Sequence, residues 1–213
     1  GSDEECICCS KRSLEVMINE IILASSNAHK VSEMKDLFFS KDFKIVGAPE
    51  KLEVIEDGKS FFENALLKAK AYSKKFKKPA LADDSGLCVD ALPDKLGLET
   101  ARYGGEGLND RQRWELLLNE MSSVPAEKRQ AYFCCVLCFY FSDDEIYYFE
   151  GRVQGVISEQ GQEGEGGFGY DPVFLPEELN GKSLAEDTNW KMENSHRSKA
   201  FEHANKFFKN YKF

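Results

Sequence analysis

The hydrophobic positions of this chain change period several times, and each change marks an element. EIILASSN is a short unbroken apolar run entering polar residues, which predicts a buried strand over Ile21 to Ala24 and then a turn. From about Asn27 the spacing turns helical, with Val31, Met34, Leu37 and Phe38 on one face. FKIVGA returns to strand character. SFFENALLKAKAYSKKF opens with Ser60 and Glu63 at the S-x-x-E spacing of a capping box and stays amphipathic to about Phe76, before Pro79. The ALA that follows predicts a strand delivering Asp83 and Asp84 at its end. NDRQRWELLLNEM predicts a third helix, capped by Asn109 or Asp110. QAYFCCVLCFYF and IYYFEGRVQGVI are aromatic and β-branched runs around the turn signal SDDE, the pattern of a hairpin. A helix capped by Ser195 closes the chain. Strands interleaved with helices, plus one hairpin, predict an α/β protein with a mixed sheet.

Composition narrows the partners. The 213 residues are 42% hydrophobic, enough for a sizeable core, and no run approaches the ~20 apolar residues of a membrane span. No signal-peptide pattern precedes the first strand. Without a membrane-spanning run no membrane partner is expected, and a formal charge of −9 argues against a nucleic-acid polymer, while a few lysines and a metal ion can still hold a small anion. Seven cysteines without framework spacing predict reduced thiols and a cytoplasmic protein. The CxxC at Cys135 and Cys138 lacks a second pair for zinc and reads as small residues of a buried strand. Residues 1–18, with ECICCS, are expected to be a disordered leader beginning with a vector-derived Gly1-Ser2, and residues 19–213 one domain.

Polar clusters fall at the predicted strand ends and helix starts. SSNAHK places Ser25, Asn27 and Lys30 where helix N–H groups and a lysine would face an anion, although an ordinary N-cap with a surface lysine fits equally. Glu56 and Asp57 precede a helix that carries Lys68, which by itself reads as a solvated face. In LADDSGLCVDAL, adjacent side chains of an extended chain point to opposite sides, so Asp83 and Asp84 cannot share one task. One would face a cleft and, with Glu56, offer hard oxygen ligands for Mg²⁺ and a proton acceptor for water; the other would brace the turn. GGFGYDP combines close-approach glycines, an aromatic that could stack on a base and an acid at the rim, though a β-turn with a core phenylalanine reads the same. Lys191, His196 and Arg197 cluster at the last cap, with His203 on the surface of that helix. GEGGFG matches GxGxxG, but Tyr170-Asp171-Pro172 prevents the helix a dinucleotide fold needs there. The two GKS triplets, at Gly58 and Gly181, lack the upstream glycine of a phosphate-binding P-loop.

Taken in order, SSNAHK, FFENALLKAKA, LADDSGLCVDAL, ARYGGEG, GGFGYDPVF and NSHRSKA resemble the inosine triphosphate pyrophosphatase family, also called the Ham1 or non-canonical purine NTP pyrophosphatases. The likeness spans roughly residues 20 to 211. It implies an elongated mixed central sheet with flanking helices, two lobes around a nucleotide cleft, and a homodimer. It implies Mg²⁺-dependent hydrolysis of ITP, dITP and XTP to the monophosphate and pyrophosphate. By the same resemblance, Ser25, Ser26, Asn27, Ala28, His29 and Lys30 hold phosphate, and Lys68 reaches the triphosphate. Glu56 and Asp84 bind the metal, Asp84 also takes the water's proton, and Ser85 contacts the nucleotide. Phe168, Gly169, Tyr170 and Asp171 form the base-and-sugar loop, with Phe168 as the stacking ring, and Lys191, His196 and Arg197 complete the contacts. Base choice would rest on the O6 acceptor of hypoxanthine and xanthine, which suits donors from the SHR segment. LPDKLGLETARY and AEDTNWKMENSHR depart from the family pattern and bear on selectivity more than on the reaction. Other readings are a related pyrophosphatase for modified pyrimidine triphosphates, as in the Maf-like family, and a nucleotide sensor without turnover. Lys30 stands where the Maf-like motif has arginine, and the paired Glu56 and Asp84 exceed what a sensor needs.

Overall fold

The structure, a computed structural model, describes residues 19–211. The expected leader, with Cys6, Cys8 and Cys9, lies outside the described residues. The chain forms β1 (Asn19–Leu23), α1 (Ala28–Leu37), β2 (Phe43–Gly47), α2 (Phe61–Phe76), β3 (Ala80–Val89), α3 (Asp110–Glu120), β4 (Gln130–Ser142), β5 (Glu145–Ile157), β6 (Phe174–Pro176), α4 (Thr188–Asn194) and α5 (His196–Lys209). One mixed sheet runs β2-β1-β3-β4-β5-β6, parallel among its first three strands and antiparallel from β3 onward.

Two helical layers cover this sheet at one end. Leu81, Leu137 and Phe139 point to the face packed by α1 and α5, through Met34, Phe38, Phe201 and Phe208. Ala82, Val136 and Cys138 point to the face packed by Ala65, Ala69 and Tyr72 of α2. Because both faces are covered, β4 is buried along nearly its whole length and reads as an unbroken apolar run. Its Cys134, Cys135 and Cys138 are free thiols whose pKa burial pushes up to about 12, so they behave as small core residues. A second packing centre lies at the far end of β3, where Leu87 and Val89 meet Trp114, Leu117 and Met121 of α3. These two centres are the two lobes.

The strand β3 is longer than its sequence suggests. Asp83 and Asp84 lie in its middle rather than at its end, paired with Leu137 and Val136 of β4. Its pairing with β1 covers only Ile22↔Ala80 and Leu23↔Leu81. Past Leu81, then, β3 has β4 on one side while β1 has already turned away. That edge is taken up again at Leu87, whose N–H bonds to Thr100 Oγ1 of the 3-10 turn Gly97–Arg102.

The caps follow local chemistry with two adjustments. Ser60 Oγ accepts the Glu63 N–H as expected, but the Glu63 carboxylate accepts from the Lys59 N–H instead of closing the box on Ser60. Asn109, not Asp110, caps α3, in a complete box with Gln112. Ser195 caps α5 by accepting the Ser198 N–H. That helix lies almost on the sheet: a Cβ at Gly151 of β5 would sit 2.1 Å from the His196 carbonyl oxygen and 2.4 Å from the Ala200 nitrogen. Backbone cannot yield there as a side-chain tip would. Gly151→Ala is expected to cost about 2 kcal/mol and to lower the melting temperature by ~4–8 °C in calorimetry. Gln154→Ala, on an exposed position of the same strand, should stay within ~0.5 kcal/mol.

Candidate active site

Asp83 and Asp84 stand at the open edge and take opposite faces. Asp83 points toward α1 and α5 and is 5% exposed. Lys30 Nζ lies 2.7 Å from Asp83 Oδ1, Arg197 Nη2 lies 3.3 Å from Oδ2, and Arg197 Nη1 lies 3.3 Å from Glu33. Burial pushes this carboxyl up, but Lys30 and Arg197 outweigh it and hold the group well below the usual carboxylate range. Asp83 therefore stays charged and joins two helices to the sheet.

Asp84 meets a different environment against α2. Burial is the largest influence and pushes its carboxyl up to about 6, opposed by Lys68 and a hydrogen bond from Asn64. The negative charges of Glu56 and Asp83 add to the rise. Lys68 Nζ pairs with Glu56 Oε1 at 2.8 Å, and these carboxylates keep its ammonium charged despite burial. Asn64 also accepts the Gly58 N–H, which fixes the turn after Glu56 and Asp57. Ser85, next along the strand, turns to the Asp83 face beside Cys135.

The turn into α1 approaches the same edge, since the Ala24 N–H bonds to the Leu81 carbonyl. Asn27 caps this helix at the Lys30 N–H and itself donates from its backbone to Ser25 Oγ. Ser26 and Ala28 are exposed in that turn, and His29 lies in the first turn of α1.

The loop before β6 is arranged otherwise than its sequence suggests. Asp171 is 3% exposed rather than at the rim: it accepts the Phe168 N–H and pairs with Lys191. Tyr170 is buried too, its hydroxyl donating to the Thr100 carbonyl. Both brace the loop, and Phe168 is left 70% exposed, with the Lys191 ammonium 4.0 Å from its ring centroid. His196 stacks on Phe133 at 5.1 Å. Burial, then the nearby Arg197 and Lys191, push its pKa down to about 3, so the imidazole is neutral. His203 sits exposed on α5, its Nδ1 2.8 Å from the Glu150 carbonyl oxygen.

Lys30 and Arg197 thus meet Asp83 on one face of β3, Lys68 sits with Glu56 beside Asp84 on the other, and Lys191 is tied to Asp171 in the loop before β6. Two partners escaped the reading of the sequence. Asn64 lies four residues before Lys68, on one helix face, and Glu33 lies three after Lys30, so helical spacing could have found both.

The adjacent aspartates should affect stability in opposite directions. A raised carboxyl pKa favours folding fully only below the ordinary value of 3.8, and that contribution is lost as pH rises through about 6. Asp84→Asn should therefore stabilise the protein at pH 7 by about 1–3 kcal/mol in urea unfolding, and the gain should vanish below pH 4. A depressed carboxyl contributes stability above its unfolded value and loses it as pH falls further. Asp83→Asn strands buried cations and should cost about 3–5 kcal/mol at pH 7.

Residues 21–207 match the profile of the Ham1 family. The chain is 44% identical over 188 residues to the dITP/XTP pyrophosphatase of Geobacillus kaustophilus strain HTA426, covering 86% of this chain and 91% of that protein. It is 36% identical over 197 residues to the dITP/XTP pyrophosphatase of Bacillus subtilis strain 168, covering 90% and 98%. Among solved structures, the Staphylococcus aureus Ham1 protein superposes with a TM-score of 0.81 at 38% identity, covering 91% of this chain and all of that one. A HAM1 protein from Coxiella burnetii gives 0.83 at 32% identity with the same coverage. A profile match over nearly every described residue, joined to relatives that match almost end to end, shows that the chain belongs to the Ham1 family.

Proposed function

We propose that the chain hydrolyses dITP, ITP and XTP to the monophosphate and pyrophosphate, cleansing the nucleotide pool. The observation that carries this reading is Asp84, a carboxyl raised to about 6 on the face of β3 that Lys68 and Glu56 share, with Lys30 and Arg197 held by Asp83 on the other face. At neutral pH Asp84 is ionised yet basic enough to take a proton from water. The names of the relatives support the substrate class.

The donor set suits Mg²⁺. Glu56 and Asp84 are hard oxygen ligands close enough for one charge to raise the pKa of the other. Among the described residues no cluster of three or more metal-binding side chains exists. Two carboxylates with substrate phosphates completing the shell is the arrangement Mg²⁺ favours. When bound, the ion would neutralise charge on the phosphates.

The remaining steps belong to the chain's own residues. Asp84 orients a water toward the α-phosphorus and accepts its proton as the bond to pyrophosphate breaks. Lys30, from one face of the sheet, and Lys68, from the other, stabilise charge on the departing oxygens. The SSNAHK turn, with Ser25 through Lys30, presents helix N–H groups to phosphate. Phe168 stacks on the base, and Lys191, His196 and Ser85 line its approach. Arg197 keeps a buried Nε–H without a partner, a donor suited to the O6 acceptor. An amino group at that position would leave the donor unpaired, at ~1–3 kcal/mol. Residues 19–213 act as one domain, as a homodimer in the cytoplasm; among the described residues no helix is long and apolar enough to cross a membrane.

Pyrophosphate release from ITP, XTP, dITP, GTP, ATP and modified pyrimidine triphosphates, with and without Mg²⁺, tests this reading. Mg²⁺-dependent release from the inosine and xanthosine nucleotides should fall by roughly 10²–10⁴-fold in Asp84→Asn. Tight binding of ITP without release of pyrophosphate or phosphate would leave a sensor, and preference for modified pyrimidines would leave a Maf-like enzyme. In the metal-free protein the Asp84 carboxyl should titrate near pH 6 by NMR, and Lys68→Met should move it higher, since Lys68 favours the ionised form.

A further inference from the structure

Phe168 is the exposed tip of its loop, and packing does not hold it in place: its ring meets solvent and the Lys191 ammonium. The backbone on either side is permissive, because Gly167 (φ +93) and Gly169 (φ +59) both adopt left-handed conformations. The position of the ring therefore depends on how the peptides around it are tied. On the inner side, the Phe168 N–H bonds to the buried Asp171. On the outer side, the Gly169 N–H donates to Asp110 Oδ2 at 2.9 Å, a contact between residues 59 apart in sequence.

The N-terminal half of α3 grips the same loop at two further points. Arg111 Nη1 lies 3.3 Å from both carboxylate oxygens of Glu163. The Trp114 ring occupies the space that a side chain at Gly161 would need, 2.7 Å from the Cβ position. These contacts hold the start of the loop, whereas Asp110 holds its tip. Asp110 is free to do so because Asn109 and Gln112 complete the cap of α3 without it.

We propose that Asp110 is a positioning residue for nucleotide binding: by accepting the Gly169 N–H it fixes the backbone that carries Phe168 against the incoming base. The proposal rests on the reading of Phe168 as the base-stacking ring. Asp110 contacts the loop tip and none of the lysines or carboxylates assigned to the triphosphate, so its effect is expected on binding of the nucleoside half. A loop that is closed only part of the time weakens apparent affinity by the fraction closed, without altering chemistry once the base is in place.

Simple electrostatics makes the opposite prediction, which sharpens the test. Removing a negative charge near a polyanionic substrate would tighten binding. In steady-state kinetics with dITP and Mg²⁺, Asp110→Ala should raise KM about 5–10-fold and leave kcat within about twofold. Asp110→Asn, whose amide oxygen can accept the same N–H, should restore KM to within about twofold of the parent. Both variants lose the charge at the helix N-terminus, so any stability change they share cannot explain a difference between them. Inhibition by inorganic pyrophosphate, which has no base, should be unchanged in either variant. A KM that stays the same or falls in Asp110→Ala would overturn the proposal. So would an equal loss of pyrophosphate affinity, or failure of Asn to rescue. If the parent protein does not hydrolyse dITP, the proposed function fails on that result alone. The latch is then judged by equilibrium binding of dIMP and of pyrophosphate to the same three proteins, where only dIMP should weaken in Asp110→Ala.

Discussion

A charge removed from water survives only if opposite charges replace the water, and the Asp83 carboxylate is the group on which this site depends. Lys30 of α1 and Arg197 of α5 reach it from separate parts of the chain, and Glu33 takes the second arm of the guanidinium. Without that carboxylate, two cations on neighbouring helices would face each other over a low-dielectric surface. With it, the turn before α1 and the first turn of α5 are drawn to one point on β3. Asp83 thus organises the site structurally and leaves chemistry to its neighbour.

The contrast with Asp84 follows from the pleat. One residue further along, the side chain leaves from the other face, meets a single lysine already engaged by Glu56, and is desolvated without full compensation. The same strand therefore carries one carboxyl below the ordinary range and one above it. β1 leaves β3 after two residue pairs, so the strand edge between the two carboxyls has no strand partner on that side, with Asp83 itself buried.

Much of the fold was legible because it arises from short-range pattern. The helical spacing of α1 and α2, the caps at Ser60 and Ser195, and the β4–β5 hairpin all follow from neighbours a few residues apart. The length of β3 was not legible. Asp-Asp-Ser-Gly resembles a turn, and only its pairing with Cys134 to Leu137 of β4, distant in the chain, makes it part of a strand. Asp171 was misplaced for a related reason: an acid in a glycine-rich loop reads as solvated until Lys191 of α4 is folded against it.

What the amino-acid sequence determined by itself was the inventory and the alternation: which groups could carry charge, where helices begin, and that Asp83 and Asp84 must diverge. The Ham1 resemblance came from the same ordered motifs. What only the tertiary structure decided was which cation meets which carboxylate, how far each carboxyl is shifted, and that Phe168 is left exposed while Tyr170 and Asp171 of the same loop are buried. Those outcomes depend on burial and on contacts between residues as much as 164 positions apart, as in Arg197 and Glu33. Local pattern carries no such distances, because electrostatic energy in a folded protein is set by three-dimensional separation and access to water.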